Sequence, residues 1–288
     1  MEPLLGHISK NQVRFIRSLQ QKKVRDEEKL FVAEGDKCIG ELIHHFDLVT
    51  LVVTDDKQQA TSVSPTPLLP YSPTPLIATP TELEQMSSLK TPQGSIAVFR
   101  QKTDELSTTE RDGFSKLSTL NFKLEQALML ALDGIQDPGN LGTIIRTADW
   151  FGVTDIYCSK DTADCYNPKV VQATMGALAR VNIHCVDLVE SLKLIVERSS
   201  KVDSLKFPIY GTLLDGRNIY EDGAIADTTG GIIIMGNEGN GISAEVREFI
   251  THPLYIPSYA PNAHIESLNV AVATAITLAE FRRQFTTK

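Results

Sequence analysis

The residues best suited to chemistry in this sequence fall into three separated blocks, each combining glycine or other small residues, asparagine and a charged side chain. The first runs from Asn140 to Arg146, and the second is Gly236-Asn237-Glu238-Gly239-Asn240-Gly241. The third is Glu266-Ser267-Leu268-Asn269, which follows Ile256-Pro257. A guanidinium offers a rigid fork of donors to a phosphate or an oxyanion, and glycines let a ligand approach the backbone closely. The blocks therefore predict a ligand site.

The elements around these blocks predict where they meet. Apolar runs rich in β-branched residues predict strands at 128–132, 155–158, 181–185, 208–213, 231–235 and 254–256. Helical segments separate them, and a long helix is expected from Leu268 to about Gln284. Alternating strands and helices predict an α/β fold whose mainly parallel sheet carries helices on both faces. Ligands of such sheets bind at the carboxyl ends of the strands, where each block lies.

Taken one at a time, these residues also have ordinary structural explanations. Asn140 is suited to cap the helix that follows it, and Ser267 could act as an N-cap in the same way. Arg146 could form a surface ion pair with Asp149 or another acid, and His264 reads as a loop residue. The chain lacks GxGxxG in the first β-to-α turn, GxxxxGK[ST] and Gly-x-Ser-x-Gly. These absences exclude the usual dinucleotide, P-loop and serine hydrolase sites.

The first third of the chain predicts a separate small α/β module at 1–105. It combines a helix at 11–21, strands near 30–35, 48–53 and 95–99, and a helix near 80–88. A proline-rich insert at 64–75 interrupts it and is too dense in proline for a helix or a central strand. Polar residues at 106–124 predict a linker, and 125–288 is the expected catalytic domain.

Composition limits the classes of partner. The 288 residues carry a net charge of −8, which argues against a protein that coats nucleic acid nonspecifically. The stretch from Lys10 to Arg25 nevertheless has six basic residues and no acidic one, so it could be an RNA-facing surface or a solvated helix. No apolar run is long enough to cross a membrane. The four cysteines lack metal-ligand spacing, so we expect reduced thiols, no metal and a cytoplasmic protein.

In order and spacing, the three blocks resemble the motifs of the SpoU (TrmH-like) RNA ribose 2′-O-methyltransferases. The resemblance covers residues 125–288 closely and the first hundred more loosely. Within the latter, Leu30-Phe31-Val32-Ala33-Glu34-Gly35 and Pro92-Gln93-Gly94 look like stretches of the family's N-terminal module, which binds the RNA substrate. The loop at 257–266 is longer than the family motif, and the proline-rich insert departs from its N-terminal module.

The resemblance implies a catalytic domain with a deep trefoil knot, a homodimer joined through the knot, and S-adenosylmethionine as the cofactor. Residues at cofactor-binding positions of the motifs are Gly236, Ile256 and Leu268. Those at catalytic and RNA-contacting positions are Asn140, Arg146, Glu238, Ser267 and Asn269. The implied reaction is methylation of a ribose 2′-hydroxyl in structured RNA, with ribosomal RNA favoured over transfer RNA. The alternatives are a transfer RNA substrate, a methyltransferase for bases or proteins, and a non-catalytic RNA-binding protein.

Overall fold

The described part of the chain forms two compact units. The computed structural model describes residues 6–55, 74–102, 128–199, 207–226, 230–260 and 267–286. The first unit takes the described residues up to position 103 together with Asp164–Arg180. The second unit takes the described residues of 104–163 and 181–288.

The first unit is built on a four-stranded mixed sheet with the strand order β1-β4-β2-β3. β4 pairs antiparallel with β1 and β2, and β3 pairs parallel with β2. The strands are β1 (Leu30–Glu34), β2 (Leu48–Thr54), β3 (Leu76–Ala78) and β4 (Ser95–Arg100). The helices are α1 (Lys10–Ser18), α2 (Lys22–Glu28), α3 (Asp36–Leu42) and α4 (Pro80–Met86), to which Asp164–Arg180 adds α6 (Pro168–Thr174) and a short 3-10 helix (Ala177–Ala179).

Helices cover both faces of this sheet because alternate side chains of each strand point to opposite sides. Val32, Ile96 and Val98 share one apolar cluster with residues of α1 and α4. Phe31 and Phe99 stack on the other face, with their ring centroids 5.6 Å apart. On that face α3, α6 and the 3-10 helix pack together.

The segment Asp164–Arg180 is joined to the rest of the first unit by a buried ion pair. Arg25 is only 1% exposed, and its guanidinium donates to Asp164 through Nε at 3.0 Å and Nη2 at 2.6 Å. Its Nη1 donates to the carbonyls of Leu19 and Gln20 at 2.9 and 2.8 Å. A buried charge needs this degree of pairing, because removing it from water is costly. The pair therefore fixes both the turn before α2 and the start of the segment.

The second unit contains a six-stranded sheet with the order β10-β8-β9-β5-β6-β7, in which every neighbouring pair is parallel. Its strands are β5 (Leu128–Asp133), β6 (Asp155–Cys158), β7 (Asn182–Cys185), β8 (Ile209–Asn218), β9 (Gly231–Gly236) and β10 (His252–Tyr255). Its helices are α5 (Pro138–Trp150), α7 (Leu188–Ser199), α8 (Ala244–Arg247) and α9 (Val270–Thr286).

The central strands of this sheet are buried on both faces. Ala131 and Ile232 belong to a cluster that includes Leu192 of α7 and Val246 of α8. On the other side, α9 packs beside α5 and against β9. Both helices begin at the same end of the sheet, since Asn269 contacts Asn140 and Arg282 donates to the carbonyl of Phe151. α5 and α9 are therefore parallel neighbours.

The predicted α/β class and mainly parallel sheet are confirmed. The six predicted strands of this sheet are present, with β8 longer than expected and β10 beginning two residues earlier. The segment Asp164–Arg180 lies inside the predicted catalytic domain but packs in the first unit; the domain boundaries themselves remain a prediction. Residues 64–73 of the proline-rich insert and the linker 106–124 lie outside the described residues.

Candidate functional site

The carboxyl ends of β5 and β9 lie side by side at the centre of the second sheet. The two strands are paired in register from Leu128 with Gly231 to Asp133 with Gly236. The chain runs from β5 to β6 on one side and returns to β8 and β9 on the other, so the strand order reverses at this point. Such a switch point leaves a crevice outside the strand ends, where open α/β sheets bind ligands. The first block lies at the start of α5, which follows β5, and the second block forms the loop after β9.

Asn237 organises the loop that follows β9. Its Oδ1 accepts from the backbone of Gly239 at 2.8 Å and of Asn240 at 3.1 Å, and its Nδ2 donates to the carbonyl of Gly134 at 2.6 Å. A Cβ added to Gly236 would lie 2.3 Å from the carbonyl carbon of Gly241, so only glycine allows this loop to close. The block's glycine and asparagine thus set the loop's shape and tie it to the loop after β5.

Buried Asp133 makes a second connection between the loops. It ends β5 and is 8% exposed, and its Oδ2 accepts from the backbone N–H of Ser243 at 2.7 Å. Asp133 is not among the predicted site residues, since an Asp-Gly pair is typical of a turn. An acid at the end of an otherwise apolar strand was the available signal, since a buried carboxylate requires a donor.

Three predicted site residues meet in one chain of hydrogen bonds. Asn269 donates through Nδ2 to Oδ1 of Asn140 at 2.9 Å, and Asn140 donates through Nδ2 to Oε1 of Glu238 at 2.7 Å. Oδ1 of Asn269 accepts from the backbone of Ala271 at 3.0 Å and of Val272 at 3.3 Å. We call Asn269, Asn140 and Glu238 the amide relay. It brings the three sequence blocks together at a single point.

Each partner in the amide relay fixes the direction of the next. The helix N–H groups can only donate, so the oxygen of Asn269 faces them and its amide hydrogens face Asn140. The oxygen of Asn140 must then accept, which turns its amide hydrogens to Glu238. An ionised carboxylate can only accept, so the arrangement is consistent at every step. Glu238 is exposed, which leaves its second oxygen accessible to a ligand.

The expected helix caps are corrected by the structure. Asp137 caps α5 by accepting from the backbone of Asn140 at 2.8 Å, with Pro138 as the first helical residue. Asn140 lies inside the helix, so its side chain is available to the relay. At α9 the side chain of Asn269 caps the helix, and Ser267 lies exposed ahead of it.

Arg146 is exposed on α5 and makes no hydrogen bond or ion pair with any residue that the structure describes. The surface ion pair with Asp149 is therefore absent between these two described residues. The structure does not join Arg146 to the amide relay either. A guanidinium that has no partner among the described residues can bind an incoming anion without first breaking an ion pair with one of them.

The predicted cofactor residues lie at the same carboxyl end of the sheet. Gly236 ends β9, Ile256 is half-buried directly after β10, and Leu268 is 49% exposed beside Asn269. Residues 261–266, which include Asn262, His264 and Glu266, lie outside the described residues. A glycine loop with apolar neighbours fits a ligand held by backbone groups and apolar contact, as expected for S-adenosylmethionine.

In the described part of the chain, no three His, Cys, Asp or Glu side chains are grouped so as to hold a metal ion. No described helix is both long and apolar enough to span a bilayer. All four cysteines are described and none is in a disulfide; Cys38 and Cys158 are buried, whereas Cys185 is exposed.

Two family models match the chain. The SpoU rRNA Methylase family matches residues 127–279. The MRM3-like substrate binding domain matches residues 10–97. The first match contains every predicted site residue, and the second contains most of the first unit.

Individual relatives match along nearly the whole chain. One is the 23S rRNA (guanosine(2553)-2′-O)-methyltransferase RlmP of Bacillus subtilis, with 29% identity over 95% of this chain and 97% of that protein. A TrmH-family structure from Porphyromonas gingivalis has 36% identity and a TM-score of 0.76, over 97% of this chain and 100% of that one. The AdoMet-bound rRNA methyltransferase from Sinorhizobium meliloti has 27% identity and a TM-score of 0.73, over 97% of both chains.

Proposed function

The chain belongs to the SpoU rRNA Methylase family, and we propose that it methylates a ribose 2′-hydroxyl in ribosomal RNA with S-adenosylmethionine as the methyl donor. The observation that carries this proposal is the amide relay, which joins Asn140, Glu238 and Asn269 from three distant parts of the sequence. The Bacillus subtilis relative is named as a 23S rRNA 2′-O-methyltransferase, which supports ribosomal RNA as the substrate. The AdoMet-bound relative supports the cofactor.

The cofactor is assigned to the loops at Gly236, Ile256 and Leu268. When bound, it supplies a methyl group that is already activated by the sulfonium. The residues of the chain must therefore orient the ribose hydroxyl in line and ease the loss of its proton, because a hydroxyl is a poor nucleophile. No metal ion is required for this chemistry.

The remaining site residues have distinct roles in this proposal. Arg146 binds the phosphate next to the target ribose and stabilises the negative charge that develops on the 2′-oxygen. It does not accept the proton, because a guanidinium stays protonated. Glu238 is the proton acceptor, directly or through water, and Asn140 holds one of its oxygens so that the other faces the substrate. Ser267 lies next to the cofactor loop and contacts the RNA.

We further propose that the protein is a homodimer in which each site is completed by the partner chain. Leu268 directly before α9 and Val272 on its first turn are each 49% exposed, and Trp150 at the far end of α5 is 84% exposed. Exposed large apolar side chains are common at protein interfaces. Sedimentation should show a dimer at micromolar concentration, and a 31.7 kDa monomer that methylates RNA would contradict this.

The finer features of the fold are also proposed. The catalytic domain spans 125–288, contains the trefoil knot of the family and follows an RNA-binding module at 1–105; the match of 10–97 to a substrate-binding domain supports the module. Because the substrate is ribosomal RNA, the protein acts in the cytoplasm. A knotted chain should unfold and refold slowly, so rapid and fully reversible refolding would argue against the knot.

Two measurements test the function. Calorimetry should find one S-adenosylmethionine site per chain, and no binding of the donor or its demethylated product would refute the proposal. Unmodified 23S ribosomal RNA and transfer RNA transcripts should then be incubated with labelled donor, digested and analysed by mass spectrometry. Ribose methylation gives an alkali-resistant linkage, whereas base methylation does not. Label in transfer RNA alone would reassign the substrate, and cofactor binding without label would favour a non-catalytic protein.

A further inference from the structure

One face of α1 carries basic side chains that the proposed reaction does not use. Lys10, Arg14 and Arg17 follow one another at intervals of four and three residues, so they lie along one stripe of the helix. We call these three residues the α1 basic face. We propose that the α1 basic face binds phosphates of the RNA backbone and so holds the substrate on the first unit. This inference rests on the proposed function and specifies where its RNA is bound.

The α1 basic face is presented by a fixed helix. Val13 and Ile16 on the adjoining, buried side of α1 are 5% and 2% exposed and belong to the apolar cluster over the sheet. Ser9 and Gln12 form a capping box at the start of the helix, with both reciprocal hydrogen bonds present. At 1.5 Å per residue, Lys10 and Arg17 are about 10 Å apart along the axis, so the face can contact more than one phosphate.

The two arginines of this face have no side-chain partner among the described residues. Arg14 and Arg17 are exposed, and neither makes a hydrogen bond or ion pair through its guanidinium with any described residue. Most other arginines with described side chains donate to carboxylates or backbone carbonyls: Arg25, Arg180, Arg217, Arg247, Arg282 and Arg283. Arg14 and Arg17 lack such a partner among the described residues, as Arg146 does, although the chain has a net charge of −8.

Glu82 partly balances the positive charge at one end of α1. Glu82 of α4 lies towards the Lys10 end of the helix, where hydrogen bonds from Thr79 and then the charges of His7 and Lys10 lower the pKa of Glu82. No acidic residue occurs between Lys10 and Arg25. Lys10 is thus partly balanced by an acid, whereas Arg14 and Arg17 form no ion pair with a described residue.

A phosphate backbone is the partner that this chemistry fits. Guanidinium forks match phosphate oxygens in a bidentate geometry. Phe15 on the same helix is 38% exposed, and an exposed aromatic ring can stack on an unpaired base. The helix also lies within the part of the chain that matches a substrate-binding domain. Because phosphate contacts carry no base information, this face should add affinity without selecting the methylated nucleotide.

The test compares two double variants that remove the same charge from the first unit. Arg14→Gln/Arg17→Gln neutralises the α1 basic face, and glutamine has a helix propensity close to that of arginine. Lys37→Gln/Lys169→Gln is the matched control, because both lysines are exposed on α3 and α6, which cover the other face of the sheet. Binding of an unmodified 23S ribosomal RNA transcript is measured across salt concentrations, followed by methylation kinetics. Thermal unfolding of both variants checks that they are folded.

We expect Arg14→Gln/Arg17→Gln to raise the dissociation constant and the KM for RNA about tenfold. The same variant should reduce the salt slope of log K by about 1.5 to 2. The kcat at saturating RNA and the affinity for S-adenosylmethionine should stay unchanged. Arg14→Lys/Arg17→Lys should restore most of the salt slope, since lysine also binds phosphate as a point charge.

The outcomes separate this inference from the proposed function. Equal salt slopes in the wild type and in Arg14→Gln/Arg17→Gln, with normal methylation, would refute the role of the α1 basic face and leave the proposed function intact. An equal loss in the lysine control would also refute it, because net charge alone would then explain binding. A wild type that binds no RNA would overturn both.

Discussion

Asn269 has two structural roles that one substitution can separate. Its Oδ1 caps α9, and its Nδ2 orients Asn140, which in turn holds Glu238. In Asn269→Asp the capping oxygen is kept, but an acceptor oxygen replaces the donor that faces Asn140. Asn140 must then turn its amide hydrogens towards the new carboxylate and its oxygen towards Glu238. The relay is reversed while the cap is preserved.

The structure sets the magnitude of each effect. Aspartate and asparagine cap helices about equally well, so Asn269→Asp should change the free energy of unfolding by less than about 0.5 kcal/mol, whereas Asn269→Ala should cost about 1 kcal/mol. The lost hydrogen bond has a charged acceptor, and such bonds contribute about 1.5–3 kcal/mol. Glu238 is exposed, so the lower end applies. If this hydrogen bond is lost in the transition state, the activation barrier rises by about 1.5 kcal/mol and methylation slows roughly tenfold.

Single-turnover methylation of an unmodified RNA transcript measures the rate directly, and calorimetry measures S-adenosylmethionine affinity. The affinity matters because Leu268, a proposed cofactor contact, precedes Asn269. Asn167→Asp is the matched control, since Asn167 caps α6 in the first unit by accepting from the backbone of Lys169 at 2.9 Å. This control should change neither the rate nor the cofactor affinity.

Two results would refute the reasoning. Normal single-turnover methylation by Asn269→Asp would show that the direction of the relay does not matter for the reaction. A loss of stability in Asn269→Asp as large as that in Asn269→Ala would show that the side-chain oxygen does not cap α9 in solution.

Three further predictions test other parts of the structure. Arg146→Ala should lower turnover at least 100-fold, which corresponds to about 2.7 kcal/mol of transition-state stabilisation, without changing cofactor affinity or thermal stability. Arg146→Lys should restore little of the turnover, and normal single-turnover methylation by Arg146→Ala would remove Arg146 from the mechanism. Asp164→Ala leaves the buried Arg25 without its carboxylate and should lower the free energy of unfolding by about 3 kcal/mol in urea denaturation; an unchanged midpoint would contradict this. Burial raises the pKa of the Cys38 thiol from 9.0 to about 11, so native protein at pH 8 should resist maleimide there until denatured; rapid native labelling, read by peptide mass spectrometry, would show that Cys38 is accessible.

The strands that could be predicted from the sequence are those buried on both faces. β5 and β9 are apolar runs, and the predicted bounds differ from the observed ones by one residue. β8 was predicted to end at 213 but continues to Asn218, because its second half pairs with the edge strand β10 after a register shift. Residues 214–218 contain one apolar side chain, that of Leu214, so no apolar pattern in the sequence marks the extension. A Cβ on Gly216 would lie 2.4 Å from the backbone of Leu254, so this glycine allows the close pairing.

The packing of Asp164–Arg180 in the first unit could not be predicted. The ion pair between Arg25 and Asp164 joins residues 139 positions apart, and neither has a local sequence signal of its partner. Periodicity identifies which residues are buried but not against which distant element they pack. The cap of α5 can be predicted from the sequence, because Pro138 is typical of the first helical position and therefore indicates Asp137 as the cap.

The arrangement of the site explains why asparagine occurs at position 140. This side chain must accept from Asn269 and donate to Glu238 at the same time, and an amide has both a carbonyl oxygen and an NH₂ group. A carboxylate at this position could accept from Asn269 but would repel Glu238, and an ammonium could only donate. Asp137 caps α5 and so releases Asn140 from that role. The residue types of the three blocks therefore depend on one another, although the sequence separates them by up to 129 positions.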